Sequence, residues 1–251
     1  MGRKGSSRGS ADIGGARPKT RIRRGDRSWI AKFPALGDQF DDPRLEAVCL
    51  DLAVACGIET PEHDVIRVAG RSVLLVYRFD RGPEGQRYGY VSAGTLTGQP
   101  PGEYATRSSY ADLAATAREN GIRPCESQLF RRLLYNCFIH NTDDHLRNHA
   151  FLRREGQWAL SPVFDIVPNR QSRLVLRPAA GFPPEPDPRA AFAAHAHFRL
   201  DRQAAAAIYD EVAAGFADLP RALERRDVTA RDRETALAMM PFAVNPPALA
   251  G

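Results

Sequence analysis

Lys32, Glu46, Asp143, Asn148 and Asp165 lie far apart in the chain, yet their side chains together supply most of what moving a phosphoryl group requires. Transfer of a γ-phosphoryl needs a cation on the phosphates, an anion that holds this cation, a carboxylate that orients the acceptor hydroxyl, and oxygen ligands for magnesium. Lys32 in WIAKFP (29–34) provides the charge, and Glu46, fourteen residues later, can anchor it. Asp143 can act as the base, and Asn148 with Asp165 can hold the metal. Upstream, Gly14 and Gly15 allow the backbone to approach phosphates closely. Taken singly, Gly-Gly reads as a turn and Glu46 as a solvated helix residue. The loop 141–148 is harder to explain structurally, because it follows an apolar helix and precedes an apolar hairpin while holding two Asp, two Asn and a His. A second chemistry, a metal-dependent phosphohydrolase, would use His140, Asp144, His145 and His149, with His145 and His149 on one face if the segment were helical. Asn141 and Asp143 at its start favour a loop.

These residues need elements to position them. Thr20–Arg23 and Ser28–Phe33 alternate as strands, the second ended by Pro34 and carrying Lys32. PRLEAVCLDLAVA (43–55) repeats apolar residues at helical spacing, with Glu46 near its first turn and Gly57 as its stop. His63–Val68 and Arg71–Phe79 read as strands around a turn at Ala69-Gly70. Residues 82–104, rich in Gly and Pro, read as a connecting loop. Helices follow at 109–120 and 126–140, then the polar loop, then a hairpin of His149–Leu152 and Trp158–Leu160 across Glu155-Gly156, leading out to Asp165. Helical patterns at 201–216 and 231–240 fill the carboxyl third, and Pro-rich 183–188 reads as a loop. The expectation is an α/β (α+β) chain with a strand-rich lobe over 1–81, a connector over 82–104 and a mainly helical lobe over 105–251.

With 43% hydrophobic and 26% charged residues, the chain falls among folded globular proteins rather than disordered or collagen-like ones. No run of about 18 apolar residues and no apolar segment behind the amino end supports a membrane span or a secretory signal. Cys49, Cys56, Cys125 and Cys137 form no CxxC pair and have no His at zinc spacing, so they read as reduced core thiols of a cytoplasmic protein. Cys49 and Cys56 share one helical face. The net charge of +5 is uneven: residues 1–27 hold nine Lys or Arg against two Asp, leaving the remainder at −2. Such a basic segment either meets polyanions, including DNA or tRNA, or is a solvated tail.

Five motifs in this order, GGARPK at 14–19, WIAKFP, the helix glutamate of LEAVCLDLA, RFDR at 78–81, and NTDDHLRNH followed by LSPVFDIVP, resemble the HipA-like serine/threonine kinases, several of which are toxins of bacterial toxin–antitoxin systems. The resemblance implies a two-lobed protein-kinase-like fold with ATP and Mg²⁺ between the lobes. By position it implies Asp143 as catalytic base, Asn148 and Asp165 as Mg²⁺ ligands, and Lys32 on the nucleotide phosphates. Gly14, Gly15, Ala16, Arg17, Pro18 and Lys19 would cover the triphosphate, and Tyr77, Arg78 and Phe79 would form the hinge at adenine. His145 would brace the catalytic loop, and Arg147, more often Lys in this family, would lie near the transferring phosphate. A protein substrate follows, by family analogy an aminoacyl-tRNA synthetase, together with a helix-turn-helix antitoxin and DNA contact through it or through the basic segment. Family members generally have a further amino-terminal subdomain ahead of the Gly-rich loop, where this chain has thirteen residues. The serine that some members autophosphorylate is matched here by Asp12, near Ser6, Ser7 and Ser10. The alternative expectation is therefore a truncated, catalytically silent protein that binds nucleotide, an antitoxin or DNA.

Overall fold

Lys19–Arg24 (β1) and Arg27–Lys32 (β2) pair as an antiparallel hairpin whose register runs from Lys19↔Lys32 to Arg24↔Arg27. The structure is a computed structural model and describes residues 17–82, 85–99 and 108–249. Asp42–Ala55 forms α1, capped by Asp41, whose side chain accepts from the Arg44 amide. Pro43 lies in its first turn, where a missing N–H breaks no helical bond. His63–Val68 (β3) and Arg71–Tyr77 (β4) join through Ala69 and Gly70, both at positive φ (48° and 78°), the backbone that a two-residue hairpin turn demands. The sheet order is β1-β2-β4-β3. One face sets Leu74 and Val76 into the core shared with α1, while the other gathers Trp29, Ala31, Val73 and Leu75.

Part of the segment expected as a connecting loop is ordered differently. Gly89–Ser92 is a strand (β5) and Ala93–Leu96 a short helix (α2). Four residues beginning with glycine carry little strand pattern of their own. Their strand character comes from pairing with Ala150–Arg154 (β6), which in turn pairs with Gln157–Leu160 (β7) in a second sheet, β5-β6-β7. The β6–β7 turn again uses two residues at positive φ, Glu155 (51°) and Gly156 (81°).

Tyr110–Glu119 (α3) begins with a capping box between Ser109 and Asp112. Glu126–Phe138 (α4) runs through the centre, burying Leu129, Phe130, Leu133, Leu134, Tyr135, Cys137 and Phe138. Pro188–Ala193 (α5), Arg202–Gly215 (α6) and Pro241–Val244 (α9) pack against it, while Leu219–Arg225 (α7) packs on α1 and Ala230–Met239 (α8) on α9. Pro188 therefore opens a helix at the end of the segment expected as loop. The Phe216 ring stacks on Phe138 and Tyr135 at 5.2 and 5.5 Å between centroids, tying the end of α6 to α4. One large apolar cluster extends from α1 and β4 into these helices.

All four cysteines are buried and free, and burial pushes the Cys56 and Cys125 thiols up to about 12, so they are inert packing groups. No helix among the described residues is long and apolar enough to cross a membrane.

His63 has an acidic partner on another element: its Nε2 lies 2.9 Å from Asp51 Oδ1 on α1 and its Nδ1 3.0 Å from the Pro61 carbonyl. Arg226, beyond α7, makes two further bonds of 2.7 Å to the same carboxylate. Burial alone would raise the Asp51 pKa, but the His63 and Arg226 bonds outweigh it and bring it from 3.8 to about 2. A carboxylate depressed in the fold stabilises it fully above its unfolded value and loses that contribution as pH falls through the folded one. Stability should therefore decline between about pH 4 and pH 2, with Asp51 contributing on the order of 2 kcal/mol. Urea unfolding from pH 5 downward checks this: Asp51→Asn should be less stable at pH 5 and show a flatter acid slope.

Candidate active site

Strand alternation places Lys32 on the α1 side of the sheet, paired with Leu74. There its Nζ donates to Glu46 on α1 and, at 2.8 Å, to Asp165 Oδ1. The Lys32 and Glu46 side chains are 14% and 11% exposed, so this is a desolvated pair, whereas Asp165 is 45% exposed and opens the site to solvent. Burial works against the ammonium, but Glu46 and Asp165 together raise its pKa well above the ordinary lysine value. Burial also pushes the Glu46 carboxyl up, with Lys32 opposing. Lys32 brings Asp165 down to about 2 against its partial burial, with Lys19 and His145 assisting. Asp165 has φ +60°, a left-handed backbone that costs aspartate on the order of 1 kcal/mol and here accompanies the carboxylate's turn toward Lys32.

Lys19 is the cross-strand partner of Lys32, so the two side chains leave the sheet on one face. Like charges placed opposite each other disfavour a hairpin. Glu46 and Asp165 offset them, two carboxylates against two ammonium groups.

The loop bearing Asp143 leaves α4 through a Schellman turn: the Asn141 amide bonds the Asn136 carbonyl at 2.8 Å, the His140 amide bonds Cys137, and His140 takes φ +57°. Behind the loop lies a polar network that the sequence reading did not single out. Asp144, 3% exposed, accepts from Tyr110 Oη and, at 3.0 Å, from His149 Nε2. Asn136 Nδ2 donates to Tyr110 Oη at 2.8 Å, and Asn141 Nδ2 to Asn136 Oδ1 at 3.1 Å. Burial raises the Asp144 pKa, but His149 and Tyr110 overcome this and hold it ionised. Val175 and Leu176 amides bond the carbonyls of Thr142 and Asp144 from outside, and α2 closes the other side through the bond from the Ala93 amide to the His149 carbonyl. The loop is thus fixed on all sides while Asp143 remains exposed. Tyr110→Phe should leave Asp144 one donor short and cost about 1–3 kcal/mol in urea unfolding.

Partial burial raises the Asp143 carboxyl, His145 and Arg147 oppose, and the negative charges of Asp165 and Asp144 add to the rise. Asp143 and Asp165 are therefore electrostatic neighbours, and His145 acts on both. Asn148 closes the short 3₁₀ turn Leu146–Asn148 and is 7% exposed. Arg147 is exposed, its stem beside Gly94 of α2. Asn148 and Asp165 offer hard oxygen donors and no sulfur or imidazole, which fits Mg²⁺ shared with phosphates and water. No group of three or more His, Cys, Asp or Glu able to hold a metal occurs among the described residues. His149 is committed to Asp144 and the segment is not an α-helix, so the phosphohydrolase alternative lacks its ligand face.

Tyr77, Arg78 and Phe79 form the end of β4 and the turn after it. The Arg78 amide donates to Ser28 at 3.0 Å, Arg154 donates to the Phe79 carbonyl at 2.9 Å, and Arg78 grips Asp80 in a fork. The Phe79 ring meets Phe164, next to Asp165, at 5.5 Å, which links this segment to the acidic loop. Arg17 pairs with Asp38 and Asp42, and the Pro18 carbonyl accepts from Phe33 at 2.9 Å. Gly14, Gly15, Ala16 and Asp12 lie outside the described residues.

The HipA-like C-terminal domain model matches residues 11–219. A Sinorhizobium fredii protein, Y4dM, whose name marks it as a candidate kinase, is 25% identical over 154 residues, 56% of this chain and 37% of its own. The chain thus spans little more than a third of that relative. Among solved structures, the HipA of Shewanella oneidensis MR-1, determined with HipB and operator DNA, superposes with a TM-score of 0.71 at 17% identity, over 95% of this chain and 65% of that one. The Helicobacter pylori proinflammatory kinase CtkA superposes with a TM-score of 0.68 at 12% identity, over 95% and 90%. These likenesses establish a kinase-like fold, and because the family model spans Lys32, the Asp143 loop and Asp165 in one continuous match, the chain belongs to the HipA-like C-terminal domain family.

Proposed function

We propose that the chain is an ATP-dependent serine/threonine kinase that transfers the γ-phosphoryl of Mg²⁺-bound ATP to a protein hydroxyl. The observation carrying this reading is the Lys32 ammonium, bonded to a helix glutamate 14 residues away and to an aspartate 133 residues away whose charge also acts on the exposed Asp143. Bound Mg²⁺ would neutralise phosphate charge, with Asn148 and Asp165 as its protein ligands. Lys32 holds the phosphate oxygens, and Glu46 fixes the direction of the lysine. Asp143 accepts the proton of the acceptor hydroxyl, and Arg147 adds positive charge at the transferring group. Lys19 shares the Lys32 face, and with residues 14–18 it would cover the triphosphate, leaving adenine to the segment at Tyr77, Arg78 and Phe79.

The biological setting is proposed by analogy. The Shewanella HipA assembles with HipB and operator DNA. A toxin role, an antitoxin partner and DNA contact follow for this chain on that pattern, and an aminoacyl-tRNA synthetase is the substrate class suggested by family resemblance. Radiolabelled ATP, offered with cell extract to wild type, Asp143→Asn and Asp165→Ala, tests the chemistry. Labelling by wild type alone supports transfer, and equal labelling by all three removes it. A nucleotide-induced thermal shift without labelling would instead identify a nucleotide-binding protein with no transfer activity.

A further inference from the structure

A groove of about 440 Å³ opens beside the site, lined by His140, Asn169, Arg170, Thr235, Ala238, Met239 and Pro241. Its walls come from His140, just past the end of α4, from α8 and the start of α9, and from Asn169 and Arg170 in the loop that follows Asp165. The bond from the Asn169 amide to the His140 carbonyl, 2.9 Å, holds the two walls together. Nε2 of His140 lies 2.9 Å from the Gln171 carbonyl, which fixes the ring.

Chain connectivity bounds how far this groove lies from the reacting groups. His140 precedes Asp143 by three residues, so their Cα atoms are at most about 11 Å apart. Asn169 follows Asp165 by four residues, a reach of at most about 14 Å. An extended peptide advances about 3.3 Å per residue, so three or four residues cover that span.

Charge decides what fits. From residue 166 to 184 the chain has no Asp or Glu but carries Arg170, Arg173 and Arg177. Arg173 faces Glu185 at 3.7 Å, whereas Arg170 is exposed on the groove, with Met239 and Pro241 as its apolar side. We infer that this groove docks the acceptor segment of the protein substrate and selects segments bearing Asp or Glu three or four residues from the phosphoacceptor. This rests on the kinase reading for the word acceptor, but not for the binding itself.

The test uses the full chain and fluorescein-labelled peptides with one serine, flanked at the third and fourth positions on either side by Glu or by Lys. Anisotropy should show the Glu peptide binding about tenfold tighter than the Lys peptide at low salt. Arg170→Glu should abolish or reverse that preference, and Ala238→Trp should weaken Glu-peptide binding by filling the groove. Arg221→Glu, the same change of charge at an exposed position on α7 outside the groove lining, should leave the preference intact. Absence of binding, equal binding of both peptides, or a preference that survives Arg170→Glu overturns the inference. Phosphoryl transfer measured in parallel separates the two claims. Charge-selective binding without transfer leaves the groove and removes the kinase, and transfer indifferent to flanking charge does the reverse.

Discussion

Asp143→Asn should lower the rate of phosphoryl transfer by about 10²–10⁴-fold while leaving the fold as stable as wild type to within about 0.5 kcal/mol. The two halves of this result have separate causes. Asp143 projects to solvent from a loop held by other residues, so its carboxylate bears little of the packing. Asn keeps the size but cannot accept the proton released as the hydroxyl attacks. The pH profile gives an independent check. Partial burial together with the Asp165 and Asp144 charges raises the Asp143 carboxyl above its ordinary 3.8, with His145 and Arg147 opposing. The deprotonated form is the working one, so the wild-type rate should fall as pH drops through that raised value, and the limb should be missing from the residual activity of Asp143→Asn. A variant retaining wild-type turnover, or an unchanged acid limb, would remove the base from Asp143.

Lys32→Met should have the largest effect on the molecule as a whole, because one side chain serves both the fold and the ligand. It leaves Glu46 buried without its cation, and breaking such a pair costs about 3–5 kcal/mol when the remaining charge stays desolvated. The double variant Lys32→Met/Glu46→Gln removes both charges and should recover most of that loss. Urea unfolding of the four proteins in the cycle measures this directly. Mg²⁺-ATP at about a hundred times its dissociation constant should stabilise wild type by about 2.7 kcal/mol. The double variant, folded but lacking the phosphate cation, should show little of this increment. If the double variant is as destabilised as Lys32→Met, the loss lies in packing rather than in an unpaired carboxylate.

The elements around this pair were legible in the sequence because their signals are local. Alternation in RSWIAK, helical spacing in LEAVCLDLAVA and the Ala69-Gly70 and Glu155-Gly156 turns each involve residues within one strand, helix or hairpin, and each is found where its pattern places it. The family signature was legible for the same reason, since NTDDHLRNH is a contiguous stretch. Residues 89–96 were misread as loop because Gly89–Ser92 becomes a strand only by pairing with β6, about sixty residues away. The acidic partner of His63 is illegible locally on similar grounds. Asp51 lies twelve residues earlier on a different element, and Arg226 joins it from the far end of the chain.

What the amino-acid sequence determined by itself is the set of side chains able to do phosphoryl chemistry, the secondary structure that carries most of them, and the family to which they belong. What only the tertiary structure decided is their arrangement: Lys32 between Glu46 and Asp165, Lys19 on the same face, and Asp144 braced by Tyr110 and His149 beneath an exposed Asp143. The physical reason is the range over which each kind of information acts. Backbone preference and hydrophobic period are set by neighbours a few residues away. A buried charge, by contrast, is tolerable only where a partner arrives from elsewhere in the chain, and that arrival depends on the packing of α1 and α4 against everything around them.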